Sequence, residues 1–382
     1  MGFLREIEKR ILIHDGSKGY LLQRMGLKGG ECGEFWNLTN QDAVRGVHRA
    51  YLEAGSDVLQ TNTFPGNRIH LEKFGLGDKT CEINYWGARL AKEVAGNRAF
   101  VSASIGPAGS LFEPLGELTF ENACEIYREQ VEALVEGGAD IINFETFTDL
   151  AELRAAYIAA RDVTDLPVIC SLAFENSGRT LMGTDPFTAV SVLKSMGADM
   201  VGANCSFGPE HMEGIIESMF KAGGGYLSVK PNAGLPSVSG NVVTYHESPE
   251  RFAELSAEFA NYGARLIGGC CGTTPEFISK LKEKLADMEP VPVCERLRGF
   301  ITSDVKSIDV RSLNKANIYR LDAAKDQTVS EALKNNDFSW TEDTALDIAA
   351  EGYDAILVDV DSVQGDAGLL AIVVDRLQWY VK

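Results

Sequence analysis

Eight short runs of β-type residues punctuate the chain between residues 11 and 272, and each is followed by a stretch of helical period. The runs are "ILIHDG" (11–16), "DVLQTNTF" (57–64), "AFVSASIGP" (99–107), "DIINFETF" (140–147), "PVICSLAF" (167–174), "DMVGANCSF" (199–207), "YLSVKPNAG" (226–234) and "ARLIGGCCG" (264–272). Strands alternating with helices pair in parallel, because a parallel neighbour can be reached only by a long crossover. Eight such units predict a closed (β/α)8 TIM barrel, with an open doubly wound sheet as runner-up. The open sheet lacks support where it would need it: the first strand–helix turn, "HDGSKGYLLQ", holds no G-x-G-x-x-G phosphate loop. Helix boundaries are marked by Asn40 and Gly55, by Ser248–Pro249 and by Thr274–Pro275, all of capping or stopping type.

The barrel is assigned to residues 1–290. Beyond it, "DMEPVPVCERLRG" brings prolines and a loss of periodicity. Residues 296–382 read as a small C-terminal α/β extension, with a helix around "TEDTALDIAAEG", a strand "AILVDVD" and a final helix "GLLAIVVDRLQWYV". So few elements bury little by themselves, and the extension is expected to pack on the barrel or on another subunit. A homo-oligomer is compatible with the sequence but not required by it.

Composition excludes several classes. A formal charge of −19 argues against nucleic acid as a partner. No window approaches an uninterrupted apolar span, so no membrane segment is expected. The opening "MGFLREIEKRILIHDG" places charges where an export signal needs an apolar centre, so the expected location is cytoplasmic. The eight cysteines are then expected as thiols or metal ligands rather than a disulfide framework. Cys81, Cys124 and Cys170 lie in apolar helical or strand contexts and read as core.

In such a barrel the functional residues gather at the C-terminal ends of the strands. Those ends carry Asp15, Gln60 to Asn62, Gly106, Glu145, Asn204 with Cys205, Asn232, and Cys270 with Cys271. Strands six and eight feed the same interior layer, which puts Cys205 level with the Cys270–Cys271 pair. Neighbouring residues of a regular strand face opposite ways, so the pair needs a kinked end, and Gly268, Gly269 and Gly272 are expected to permit one. Taken alone, the dipeptide reads equally as a buried pair or a vicinal disulfide. With Cys205 at a matching strand end, the three become a Zn2+ site with one position open. Three thiolates leave such an ion less electron-withdrawing than three histidines would, which suits alkyl transfer to a bound thiol better than hydrolysis.

"HDGSKGYLLQ", "EAGSDVLQTNTF", "IGPAG", "NFETFTDL", "GANCSFGP", "KPNAGLP" and "GGCCGTTPEFI" together resemble the homocysteine S-methyltransferase family, in order and over residues 10 to about 290. The resemblance implies a zinc-dependent barrel that methylates the sulfur of homocysteine to give methionine, with Cys205, Cys270 and Cys271 as metal ligands and catalytic centre. It further implies that Asp15, Gly16 and Glu145 hold the amino-acid end of the substrate. Asn232 would occupy or adjoin the fourth metal position, with Asn62 and Asn204 as weaker substrate-site candidates. The bland alternatives are a turn or cap role for Asp15 and a buried ion pair for Glu145 with a Lys or Arg nearby.

The methyl donor is less legible. The betaine-dependent branch resembles "QTFTFY", whereas this chain has "QTNTFPG" with Pro65 in place of the tyrosine. The motifs look more like the homocysteine-binding module of cobalamin-dependent methionine synthases, yet a D-x-H-x-x-G corrinoid motif is absent. The expectation is therefore methylcobamide carried by a separate corrinoid protein. S-methylmethionine, S-adenosylmethionine and betaine are alternative donors, and a non-catalytic zinc- or thiol-binding subunit is the alternative of a different class. The tail's "AAEGYDAILVDVDSVQGDAGLLAIVVDRLQ" weakly resembles the opening of a pterin-binding barrel, and reads equally as a generic add-on.

Overall fold

The computed structural model describes residues 2–113, 115–235, 237–239, 242–293, 300–309, 318–323, 325, 327–335, 337–351, 353, 355–359 and 373–374. The chain divides into two compact units, Met1–Arg296 and Leu297–Lys382.

In the first unit, β1 (Leu12–Ile13), β2 (Val58–Gln60), β3 (Phe100–Ile105), β4 (Ile141–Phe147), β5 (Val168–Leu172), β6 (Met200–Asn204), β7 (Leu227–Lys230) and β8 (Ala264–Ile267) form one parallel sheet. Neighbours follow chain order from β2 to β8, and β8 pairs with β1. The ring closes through a parallel bridge between His14 and Val58. There the Asp57 N–H donates to Ile13 O at 2.8 Å and the Asp15 N–H to Val58 O at 3.1 Å. This is the (β/α)8 barrel that the alternation of runs predicts.

Side chains alternate across each strand, so residues counted in twos face the barrel interior and sort into tiers. The lowest tier is apolar: Leu12, Val58, Ile141, Ile169, Met200 and Leu266 are buried together with Phe3 and Ile7 of the N-terminal helix Phe3–Lys9, which seals that end. Two residues further along, the interior turns small and polar, with Ser102, Asn143, Ser171, Gly202 and Ser228. A Cβ on Gly202 would lie 2.1 Å from Ser228 O, so no larger side chain fits there. Another two residues on come Ser104, Glu145, Asn204 and Lys230, all buried. The intervening positions, such as Val101, Ala103, Ile142, Phe144, Val201 and Val229, join the main core beneath the helices.

The strands are shorter than the runs suggest. β8 ends at Ile267, so both neighbouring cysteines lie beyond it. The glycines around them also act differently from expectation. Gly268 is a point of close approach, where a Cβ would meet His14 Cβ at 2.6 Å, and Gly269 abuts Thr273. Of the three, Gly272 alone has a left-handed φ, +78°. Ser248 caps its helix through the Arg251 N–H, and Gly55 ends another in the left-handed region. Asn40 and Thr274 precede helices without capping them by their side chains.

The second unit contains a parallel pair, Ile318–Asp322 with Ala355–Asp359, joined through helices Gln327–Lys334 and Trp340–Glu351. Leu321, Ala323, Val329, Leu333, Ala345 and Val373 form its small core. The strand Ile318–Asp322 and the hairpin Phe300–Thr302 with Ser307–Asp309 went unread in the sequence. The final expected helix, residues 368–381, lies outside the described residues apart from Val373 and Val374. Among the described residues no helix is long and apolar enough to cross a membrane.

Because Ile7 is fully buried against the lowest tier, Ile7→Ala is expected to destabilise the barrel by about 2–4 kcal/mol. Urea unfolding should show a lower midpoint, with the chemistry at the opposite end untouched.

Candidate metal centre

β6 ends at Asn204, whose side chain faces inward, so regular alternation would turn Cys205 outward. Instead Cys205 has φ +55°, a left-handed conformation that is rare outside glycine, and the reversal brings its thiol back over the mouth. Cys270 and Cys271 sit in the turn after β8, which is pinned to the segment after β7. The Cys270 N–H donates to Pro231 O at 2.7 Å, the Cys271 N–H to Asn232 Oδ1 at 3.1 Å, and the Ala233 N–H to Cys271 O at 2.9 Å. A turn so held does not alternate, and that is how adjacent thiols share a direction.

The three sulfurs converge. Cys205 Sγ lies 3.4 Å from Cys271 Sγ, and all three lie within 4.8 Å of one another. Ligands about 2.3 Å from a tetrahedral zinc would stand roughly 3.8 Å apart, so this spacing and donor set fit such an ion. Hydrogen bonds with Cys205 and Cys270 hold the Cys271 thiol down to about 3, against the effect of burial. Hydrogen bonds with Cys270 and Cys271, together with burial, push Cys205 well above the ordinary thiol range. Tyr245 is hydrogen-bonded to Cys271, and burial followed by that thiol raises its own pKa.

The sulfurs open onto a cavity of about 480 Å³ that is also lined by Gly16, Lys18, Asn62, Glu145 and Lys230. Glu145 is buried and paired with Lys230, and it also accepts from Gln60 Nε2 and Ser104 Oγ. Lys230 donates to Gln60 Oε1 at 3.0 Å as well.

Asp15 is fully buried but does not line the cavity. Its Oδ2 accepts from Lys18 Nζ at 2.5 Å and from the Gln60 N–H at 2.8 Å, and its Oδ1 lies 3.1 Å from His14 Nδ1. Asn62 lines the cavity while tying the Gly33 carbonyl and Asn37 in place. Asn204 bridges Thr146 and reaches Cys270 Sγ at 3.8 Å. Asn232 spends its Oδ1 on the Cys271 N–H, beside the trio. Gly106 packs under Phe64.

Lys18, Lys230, Ser104 and Tyr245 were not singled out from the sequence. For Ser104 and Lys230 the signal was parity: each falls two residues after an inward serine, Ser102 or Ser228, and a lysine there demands a buried counter-charge. Lys18 and Tyr245 sit in connections, where no period places a side chain.

Burial raises the Asp15 pKa, but Lys18 and His14 together outweigh it, and the carboxyl is held down to about 2. Asp15→Asn leaves the buried ammonium without its carboxylate, so a loss of about 3–5 kcal/mol is expected in chemical denaturation. A depressed pKa stabilises the fold above the unfolded value of about 4, and that contribution fades as pH falls toward 2. The variant's deficit should therefore shrink on acidification over that window.

A family model for homocysteine S-methyltransferase matches residues 12–285, from the first residue of β1 to the last of the helix Pro275–Leu285. The chain is 33% identical over 303 residues to methionine synthase of Mycobacterium leprae (strain TN), and 32% identical over 303 residues to that of Mycobacterium tuberculosis (strain ATCC 25618 / H37Rv). Each alignment covers 74% of this chain and 25% of the relative, so the chain spans a quarter of the length of the curated relatives it matches. Among solved structures, the metallated form of the homocysteine methyltransferase MmuM from Escherichia coli superposes with a TM-score of 0.61 at 22% identity, covering 72% of this chain and 97% of that one. Its oxidised form gives the same TM-score, 0.61, at 23% identity, covering 74% of this chain and 99% of that one. These superpositions support the barrel fold. The family match encloses every strand of the barrel and all three converging cysteines, and the chain belongs to the homocysteine S-methyltransferase family.

Proposed function

We propose that this chain transfers a methyl group to the sulfur of homocysteine, giving methionine, with zinc as its resident metal and a methylated corrinoid protein as donor in trans. The observation that carries the reading is the meeting of three cysteine sulfurs with a buried carboxylate–ammonium pair in one cavity. When bound, zinc held by Cys205, Cys270 and Cys271 supplies a position at which an incoming thiol loses its proton near neutral pH yet keeps its electron density. Pro231, Asn232 and Ala233 fix the backbone of Cys270 and Cys271, and Asn204 Nδ2 donates toward Cys270 Sγ. Glu145 offers its carboxylate to the substrate ammonium, and Gly16 forms part of the wall at the carboxylate end, with Asp15 behind it. The apolar lowest tier and the N-terminal helix close the far end of the barrel. The new C–S bond forms from a sulfur lone pair while the bond from the methyl carbon to the donor breaks, and the thiol proton passes to solvent.

A macromolecular donor is supported by the rim. Met25, Phe74, Leu111, Leu115, Leu181 and Leu235 are exposed and lie in the connections that follow β1, β2, β3, β5 and β7, on the face where the cavity opens. Exposed apolar side chains on that face suit contact with a protein-sized carrier. Seven cysteines are free thiols in the described residues, which supports a reducing compartment such as the cytoplasm.

Cys271→Ala is expected to bring bound zinc near zero and abolish methionine formation while the far-UV circular dichroism stays that of a folded barrel. Unaltered metal stoichiometry by elemental analysis removes Cys271 from the ligand set. With a methylated corrinoid protein, methionine should form. Leu181→Asp with Leu235→Asp should raise KM for that donor several-fold and leave KM for homocysteine alone. Turnover with S-methylmethionine, S-adenosylmethionine or betaine instead would reassign the donor. Turnover with none would make the chain a zinc- and thiol-binding subunit.

A further inference from the structure

We infer that Lys18 is the residue that selects an α-carboxylate on the substrate, an assignment that rests on the homocysteine reading above. Lys18 is 7% exposed and lines the same cavity as the three cysteines and Glu145. Its ammonium is fixed rather than free to sweep. Nζ donates to Asp15 Oδ2 at 2.5 Å and to Gly16 O at 3.3 Å, and it lies 5.4 Å from the centre of the Tyr51 ring. A lysine ammonium has three N–H donors, and among the described residues two have acceptors, so one remains for a ligand in the cavity. Asp15 lies behind it, absent from the cavity lining and already bonded to the Gln60 N–H. A ligand therefore meets a positive charge at this wall, while the carboxylate that balances it is out of reach.

Glu145 and Lys230 both line the cavity. The two are bonded to each other, and Gln60 links the two pairs by donating to Asp15 through its backbone and to Glu145 through its side chain. Lys230 is the rival for a carboxylate; with Glu145 and Gln60 Oε1 as acceptors it also keeps one N–H, but it is 1% exposed against 7% for Lys18. An amino-acid head group carries one charge of each sign. Its ammonium faces Glu145 and its carboxylate faces Lys18, and each meets a charge whose partner is already in place, so no ion is left buried alone.

The test compares two thiols by calorimetry on zinc-loaded full-length protein: L-homocysteine, and 3-aminopropane-1-thiol, which is homocysteine without its carboxylate. Wild type should prefer homocysteine, and Lys18→Met should weaken homocysteine binding about tenfold to a hundredfold, the worth of one charged hydrogen bond. The same substitution should leave the affinity for the aminothiol unchanged. A substitution that only disturbed the fold would weaken both thiols together, and that result overturns the assignment, as does an unchanged preference. Loss of the preference in Lys230→Met, with Lys18→Met retaining it, gives the role to Lys230 instead. If wild type binds the aminothiol but shows no preference for homocysteine, Lys18 has no such role while the thiol site stands. If neither thiol binds, the homocysteine reading itself fails.

Discussion

Two adjacent cysteines share a direction only because the turn beyond β8 is laced to the segment after β7. Three hydrogen bonds do this, from Cys270 to Pro231, from Cys271 to Asn232 and from Ala233 back to Cys271. Each fixes a peptide plane rather than a side chain, so the thiols inherit their placement from backbone that cannot rotate independently. Cys205 supplies the third sulfur by a different device, a left-handed residue at the end of β6. Strain of this kind persists where surrounding contacts over-determine it. Here the clamp of Asn204 on Thr146, itself at φ +63°, supplies those contacts.

Charge inside the barrel follows the same economy of support. Both cavity lysines stand beside a carboxylate, and Gln60 couples the pairs. Opposite charges placed in water-poor surroundings add little net stability, but removing one partner is costly. The interior thus resists drift at these positions for reasons of folding as well as of chemistry. The two causes act on the same residues, and binding measurements with truncated ligands separate them.

Much of the fold was legible. The alternation of eight β runs with helical segments suffices for the barrel, because parallel neighbours demand crossovers. Period-two patterning then sorts interior from core, and it places Ser104, Glu145 and Lys230 correctly even though two of them were not singled out. The cysteine trio was legible from strand-end positions alone. Three kinds of feature were not. Strand ends came earlier than the runs suggested, since the ladder stops at Ile267. Gly268 and Gly269 serve close packing rather than unusual dihedrals, a distinction that depends on neighbours remote in sequence. Asp15 accepts from Lys18 and does not line the cavity, a pairing between a strand-end residue and the first residue of the next helix that neither strand nor helix period signals.

The N-terminal helix has a further consequence. By stoppering one end of the barrel with Phe3 and Ile7, it leaves the cavity of the cysteines to open at the other end. On the function proposed above, amino acid and methyl carrier share that opening, and a protein-sized carrier seated there covers it. The reading then implies a queue: the small thiol enters before the carrier docks, and the methylated product leaves after the carrier has gone.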